Sequence, residues 1–260
     1  MTALEAGLRA ALTTYAGRER ILYGTDFDGV LAPLVLDPST SAPVDGSIDA
    51  LRELAALPGT TVAVVSGRDL ATLRQLSGIA DDESIVLIGS HGGQPSIDLP
   101  GGQAWDDAAQ ARLDAVTAAL QEVATAHPGC RIERKSAGAA IHTRGMDDDA
   151  ADAALRDAEQ AGSAIDGAHV IAGKSVLEIG VLDTDKGGAL HALAEHVGAT
   201  VTCYSGDDRT DERAFEVLPT SGGHVTIKVG EGDTVAEHRI TGTDEVLPII
   251  QTVLQARRSR

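Results

Sequence analysis

The sequence predicts an α/β protein built on a parallel sheet and interrupted by an α+β insertion. Three observations carry this. Short apolar, β-prone runs at 21–25, 61–65 and 85–88 each end in a cluster of polar or glycine residues and alternate with helical spacing. Between about 94 and 180 the order becomes α-β-β-α-β-β, with strands close enough to be joined by hairpins instead of crossovers. The first rhythm then returns, with a helix opening at Asp185-Lys186-Gly187 and an apolar run at 200–204 that ends in Gly206-Asp207-Asp208.

Taken in order, the chain begins with an expected amphipathic helix. Its early acid and lack of a long apolar run argue against a signal peptide or a membrane span. The run at 21–25 is the first strand, and it stops at Asp26-Phe27-Asp28-Gly29. Ile48, Leu51, Leu54 and Ala55 recur at helical spacing; the strand at 61–65 ends at Ser66-Gly67-Arg68, and Asp69 is placed to cap a further helix. The strand at 85–88 ends at Gly89-Ser90-His91-Gly92. The insertion supplies helices at 106–126 and 147–161 and strands at 131–135, 139–143, 169–172 and 175–179, the last two separated only by Gly173-Lys174. A strand at 225–229 and a helix at 244–256 complete the chain. The expected organisation is a core of 1–93 and 181–260 around an inserted unit of 94–180.

Composition narrows the partners. The 260 residues include 39 acidic and 21 basic ones, a formal charge of −18 that repels nucleic-acid phosphates and anionic lipid. Only 2% are aromatic, with Trp105 the sole tryptophan, so stacking platforms for bases are missing too. Neither nucleic acid nor membrane is an expected partner. Cys130 and Cys203 are too few for a disulfide framework or a four-thiolate metal site, which fits a reducing cytoplasm. The expectation is a cytoplasmic monomer acting on a small molecule.

In a parallel sheet, function gathers at the carboxyl ends of the strands, where the polar clusters lie. Asp26 and Asp28 sit two residues apart in a loop that can point both into one crevice. Asp-x-Asp pairs are common in capping loops, Asp185 can be a helix cap beside a solvated Lys186, Gly206-Asp207-Asp208 can be a surface turn, and Ser66 can cap the next helix. His91 between glycines has no other histidine at ligand spacing, which argues against zinc. The ordered recurrence of all four clusters on one sheet is what points to chemistry. Phosphoryl transfer needs a nucleophile, charge neutralisation and a proton for the leaving group. Asp26 can be the nucleophile, forming an aspartyl-phosphate. Asp28 can protonate the departing oxygen and then deprotonate water. Unit charges about 4 Å apart repel by about 4 kcal/mol at an effective dielectric of about 20, so Asp26, Asp28, Asp207 and Asp208 together imply a divalent cation. An all-oxygen set beside a phosphate points to Mg²⁺, with Asp26 and Asp207 as side-chain ligands and the Asp28 carbonyl as a third. Ser66 and Lys186 are candidates to hold the phosphate oxygens.

The order Asp26-Phe-Asp28-Gly, Ser66-Gly-Arg68, Lys186 and Gly-Asp207-Asp208 resembles the haloacid-dehalogenase superfamily of phosphohydrolases. With Gly89-Ser-His91-Gly, Glu133-Arg134-Lys135, His142-Thr-Arg144, Gly173-Lys174-x-Val-x-Glu178 and Asp208-Arg-Thr-Asp211-Glu, it is similar to the trehalose-6-phosphate phosphatases over roughly residues 20–215. The resemblance implies a Rossmann-like core with the inserted α+β unit as a mobile cap over the site. It implies hydrolysis of trehalose 6-phosphate, with Arg68 joining Ser66 and Lys186 at the phosphate. Lys135, His142, Lys174 and Glu178 would face the sugar, with His91 also at the substrate, Arg134 near the phosphate, and Asp208 and Asp211 behind the metal ligands. The chain departs from the family pattern at Val30, at Gly92-Gly93-Gln94 and at Ile179-Gly180-Val181 after Glu178. Other sugar phosphates (glucosyl-glycerate, mannosyl-glycerate or sucrose phosphate), a non-catalytic phosphate-binding relative and a phosphomutase are the alternatives.

Overall fold

A strand buried on both faces reads as a near-continuous apolar run, and the runs picked out above are of this kind. The structure, a computed structural model, describes residues 4–100, 105–173 and 175–260. The chain forms two compact units, Met1–Gly102 with Asp185–Arg260, and Gln103–Thr184. The first unit opens with α1 (Ala6–Ala16), β1 (Ile21–Asp26), α2 (Ser47–Ala55), β2 (Thr60–Val65), α3 (Leu70–Ser77), β3 (Ile85–Gly89) and β4 (Gln94–Pro95). The second supplies α4 (Asp107–Ala126), β5 (Arg131–Lys135), β6 (Gly138–His142), α5 (Asp148–Ser163), β7 (His169–Gly173) and β8 (Val176–Gly180). The first resumes with α6 (Lys186–Val197), β9 (Val201–Gly206), α7 (Arg209–Glu216), β10 (Val225–Val229), β11 (His238–Ile240) and α8 (Val246–Arg258).

Among the described residues the first unit holds a seven-stranded sheet in the order β11-β10-β9-β1-β2-β3-β4. All its pairings are parallel except β3 with β4. Alternate side chains serve two cores. Ile21, Tyr23, Val62, Val64, Ile85 and Leu87 pack with Leu8 and Leu12 of α1, Leu51 and Leu54 of α2, and Ile250 and Val253 of α8. Leu22, Ala63, Val65, Val86 and Ile88 pack on the opposite face with Leu190 and Leu193 of α6 and Phe215 of α7. The caps agree with the residue types: Asp69 accepts from the Thr72 N–H at 2.8 Å and Asp185 from the Gly188 N–H at 2.7 Å.

The second unit's sheet runs β5-β6-β8-β7, all antiparallel. One face, with Ala139, Ile141, Leu177 and Ile179, is buried against Leu113, Val116 and Leu120 of α4 and Ala158 of α5. By the ladder, Glu133, Lys135, His142 and Glu178 share the other face.

Two strands had no clear sequence signal. β4 is two residues long and contains a proline, and β11 is a three-residue edge strand with a histidine and an arginine, so neither shows a hydrophobic period. β4 also shifts the start of the insertion. Gln94 accepts from the Leu70 N–H at 2.9 Å and the Ser90 hydroxyl at 3.0 Å, Ser96 pairs with Leu87, and Ile97 and Leu99 join the core. The break expected at 93/94 therefore falls at 102/103, and the return expected at 180/181 at 184/185. No helix among the described residues is long and apolar enough to cross a membrane.

Candidate active site

The parallel register aligns three strand ends. Asp26 is opposite Val65, which places Ser66 one residue beyond, and Thr25 is opposite Ser205, which places Gly206-Asp207 beside Asp26. On this edge Asp26 is only 4% exposed. Its Oδ1 accepts from the Phe27 N–H at 2.7 Å and its Oδ2 from Lys186 Nζ at 2.8 Å. Lys186, brought in by the first turn of α6, is 1% exposed, so the alternative of a solvated lysine is excluded.

Asp211 organises the rest. Its Oδ1 accepts from Lys186 Nζ at 2.9 Å and from the Tyr204 hydroxyl at 2.7 Å, and its Oδ2 from the N–H groups of Asp207 at 2.9 Å and Asp208 at 3.0 Å. A carboxylate offers about four lone-pair positions, and all are used. Asp208 is the N-cap of α7, accepting from Thr210 and Asp211 in a reciprocal capping box with Asp211. Asp207 thus has the carboxylate of this loop left to serve a ligand, and it lies against Gly29, where a Cβ would come within 2.1 Å of Asp207 Oδ2. Gly29 adopts φ +76°, a conformation that itself favours glycine.

The electrostatics show a site short of positive charge. Burial, reinforced by Asp211 and Asp207 and opposed by Lys186, pushes the Asp26 carboxyl well above the usual range. Asp207 is pushed up to about 6 by burial and by the charges of Asp211 and Asp208. Asp208 moves the other way: burial acts upward, but Lys186 and hydrogen bonds from Asp211 and Thr210 outweigh it. Burial acts to lower the Lys186 ammonium, yet Asp26, Asp211 and Asp208 raise it above its usual range and keep it charged. Carboxylate oxygens of Asp26, Asp207 and Asp211 lie within 4.8 Å of one another. Asp211 has no lone pair to spare, whereas Asp26 and Asp207 do, and this oxygen donor set fits a hard divalent cation.

Asp28 lies in a tight loop bridged to Ala32, with the Gly29 N–H bonded to the Ala32 carbonyl at 2.8 Å. Arg68 Nε donates to its Oδ2 at 2.6 Å and an Arg68 terminal nitrogen to its Oδ1 at 2.7 Å, while the Ser41 hydroxyl donates to Oδ1 at 3.0 Å. Ser66 accepts at Oγ from the Arg68 N–H at 3.1 Å. His91, at φ +53°, sits with Nε2 2.5 Å from where a Gly67 Cβ would be, and its N–H bonds the Ser66 carbonyl at 2.9 Å. The loops after β2 and β3 therefore brace one another.

In the second unit Lys135 pairs with Glu178, and His142 Nε2 lies 2.8 Å from Glu133. Arg134 is not brought to this group. It lies on the helix-packed face by strand alternation and pairs with Asp114 of α4 at 2.9 Å, half-exposed. Lys174 lies outside the described residues. Sequence reasoning missed Ser41, Tyr204 and Lys228; a lysine inside the otherwise uncharged Val225–Val229 was a visible signal, whereas Tyr204 reads as core and Ser41 as loop.

A parallel α/β sheet carrying aspartates at two neighbouring strand ends and a helix-borne lysine, with an α+β insertion, is the architecture of the haloacid-dehalogenase superfamily. Within it the chain belongs to the trehalose-phosphatase family, whose model matches residues 24–244. It is 37% identical over 211 residues to a trehalose-phosphate phosphatase of Mycolicibacterium paratuberculosis, covering 78% of this chain and 52% of that one. It is 33% identical over 238 residues to an uncharacterised glycosyl hydrolase of Mycobacterium tuberculosis, covering 85% of this chain but 17% of that one. The chain thus spans about half or less of these two curated relatives. The solved Aspergillus fumigatus trehalose-6-phosphate phosphatase superposes with a TM-score of 0.75 at 27% identity, covering 98% of this chain and 99% of that one.

Proposed function

We propose that the chain is a Mg²⁺-dependent phosphatase that hydrolyses trehalose 6-phosphate through an aspartyl-phosphate on Asp26. The observation that carries this is the buried Lys186 ammonium bridging Asp26 and Asp211 beside Asp207. Asp26 attacks phosphorus through a carboxylate oxygen, and Lys186, with Ser66, holds the phosphate oxygens as their charge redistributes. Asp28 gives its proton to the departing sugar oxygen and then takes one from the water that cleaves the aspartyl-phosphate, which returns Asp26 and inorganic phosphate. Asp26 and Asp207, with the Asp28 carbonyl, would hold Mg²⁺, whose charge offsets that of the carboxylates and the phosphate.

Sugar recognition is assigned to the open face of the second sheet. Its lysine, imidazole and carboxylates on rigid strands are suited to a surface of hydroxyls. The family match and the trehalose-phosphate phosphatase relative support trehalose 6-phosphate over the other sugar phosphates. The test is phosphate release over a panel of sugar phosphates with and without Mg²⁺. Release from trehalose 6-phosphate in the metal arm alone is the expected result, and preference for another sugar phosphate would reassign the substrate.

A further inference from the structure

Every residue of β10 is buried, yet one of them is a lysine, Lys228, at 4% exposure. An ammonium there is costly unless fully partnered, and the phosphoryl chemistry above makes no use of it. Its Nζ donates to the backbone carbonyl of Asp207 and lies 3.9 Å from Glu212 Oε1. Glu212 is itself fixed, accepting at Oε2 from the Val235 N–H at 2.9 Å and the Thr234 hydroxyl at 3.2 Å. The residue is therefore held from two sides. Asp211 takes the N–H groups of Asp207 and Asp208, and Lys228 takes the carbonyl of Asp207. Fixing both peptide planes fixes the direction of the Asp207 Cα–Cβ bond, and so the placement of its carboxylate over Gly29.

We infer that Lys228 is a positioning residue for the cation site, acting through the Asp207 backbone; this rests on the Mg²⁺ reading above. Two effects of the side chain have opposite signs, which makes the role measurable. As a charge, Lys228 repels a cation, so its removal strengthens metal binding. As an anchor, its removal lets Asp207 swing and weakens binding. The anchor prevails, because the ammonium is committed to the carbonyl and Glu212 offsets its charge.

The experiment is Mn²⁺ binding to the substrate-free protein, by electron paramagnetic resonance and calorimetry, for the native chain and Lys228→Met, with thermal melts of both metal-free proteins. Met follows lysine as far as Cε, lacks the ammonium and suits an apolar strand, so the metal-free melting temperature should be kept while the Mn²⁺ Kd rises about tenfold or more, within the range for partners that orient metal ligands. An unchanged or tighter Kd in Lys228→Met overturns the inference and leaves the metal reading standing. Absence of Mn²⁺ binding to the native chain overturns both. Should Lys228→Met not fold, Lys228→Gln, uncharged and one bond too short for the carbonyl, is measured against the same outcomes.

Discussion

Arg68 holds Asp28 in a two-pronged ion pair, at 2.6 Å and 2.7 Å, forty residues apart in the chain. With Ser41 on the same carboxylate, the guanidinium fixes the direction of the side chain proposed to protonate the leaving group. Arg68→Ala should lower kcat/KM for the sugar phosphate, which ends at leaving-group departure and so excludes the shared water step, about tenfold, while kcat/KM for p-nitrophenyl phosphate, whose leaving group needs no proton, changes little. Asp28→Asn should show the same contrast more strongly, on the order of 10²- to 10⁴-fold. Equal losses on both substrates would place Arg68 at the phosphate alone.

Asp26→Asn removes the attacking oxyanion but can keep the contact to Lys186, so the protein should fold and turnover should vanish. Rapid quench of the native enzyme with labelled substrate should trap label on the protein, and the variant should trap none. Wild-type turnover by Asp26→Asn would end the case for covalent catalysis.

Chelation should abolish activity, since burial and neighbouring acids press Asp26 and Asp207 towards their neutral forms. EDTA followed by Mg²⁺ titration checks this, with recovery expected on addition of the ion. Full rate in EDTA would exclude the cation.

Glu178→Ala takes an acceptor from the open sheet face, where Glu178 pairs with Lys135. It should reduce kcat/KM for the disaccharide phosphate by about 1–3 kcal/mol of transition-state binding and leave p-nitrophenyl phosphate nearly unaffected. The ratio of the two specificity constants is the readout, and a common loss on both would assign Glu178 to the fold.

His224 Nδ1 accepts from the Thr202 N–H at 3.0 Å, so the folded ring is neutral. Burial, aided by His191, holds its pKa below the ordinary 6.5. The unfolded ring takes up a proton near 6.5 and the folded one only at lower pH, so its contribution to stability is present above that value and is lost as pH falls through the folded pKa. Melting temperatures between pH 7.5 and 5 should fall less steeply for His224→Gln than for the native chain; parallel curves would exclude the histidine.

The legible part of the molecule was what short-range pattern encodes. Apolar runs ending in polar or glycine clusters marked β1, β2, β3 and β9, and Asp69 and Asp185 marked their helices, because burial on both faces and capping are properties of consecutive residues. The parts that escaped depend on partners distant in sequence. Arg68 read as a phosphate ligand, yet it grips Asp28, and Lys228 meets Asp207 across 21 residues. Arg134 stood beside Lys135 in the motif, and strand alternation alone sends it to the opposite face. β4 and β11 are too short to show a period.

The ring of donors around Asp211 leaves evolution a single answer at that position. Asparagine, the nearest isostere, would turn an NH₂ group either towards Lys186 and Tyr204 or towards two backbone N–H groups, hydrogen facing hydrogen in both rotamers. Glutamate would carry its oxygens one bond too far within a residue that is 0% exposed. Position 211 therefore serves as a one-letter diagnostic: a related sequence that keeps the four residues from Asp26 to Gly29 but loses this acid has kept the appearance of a phosphatase without the frame that aims its lysine.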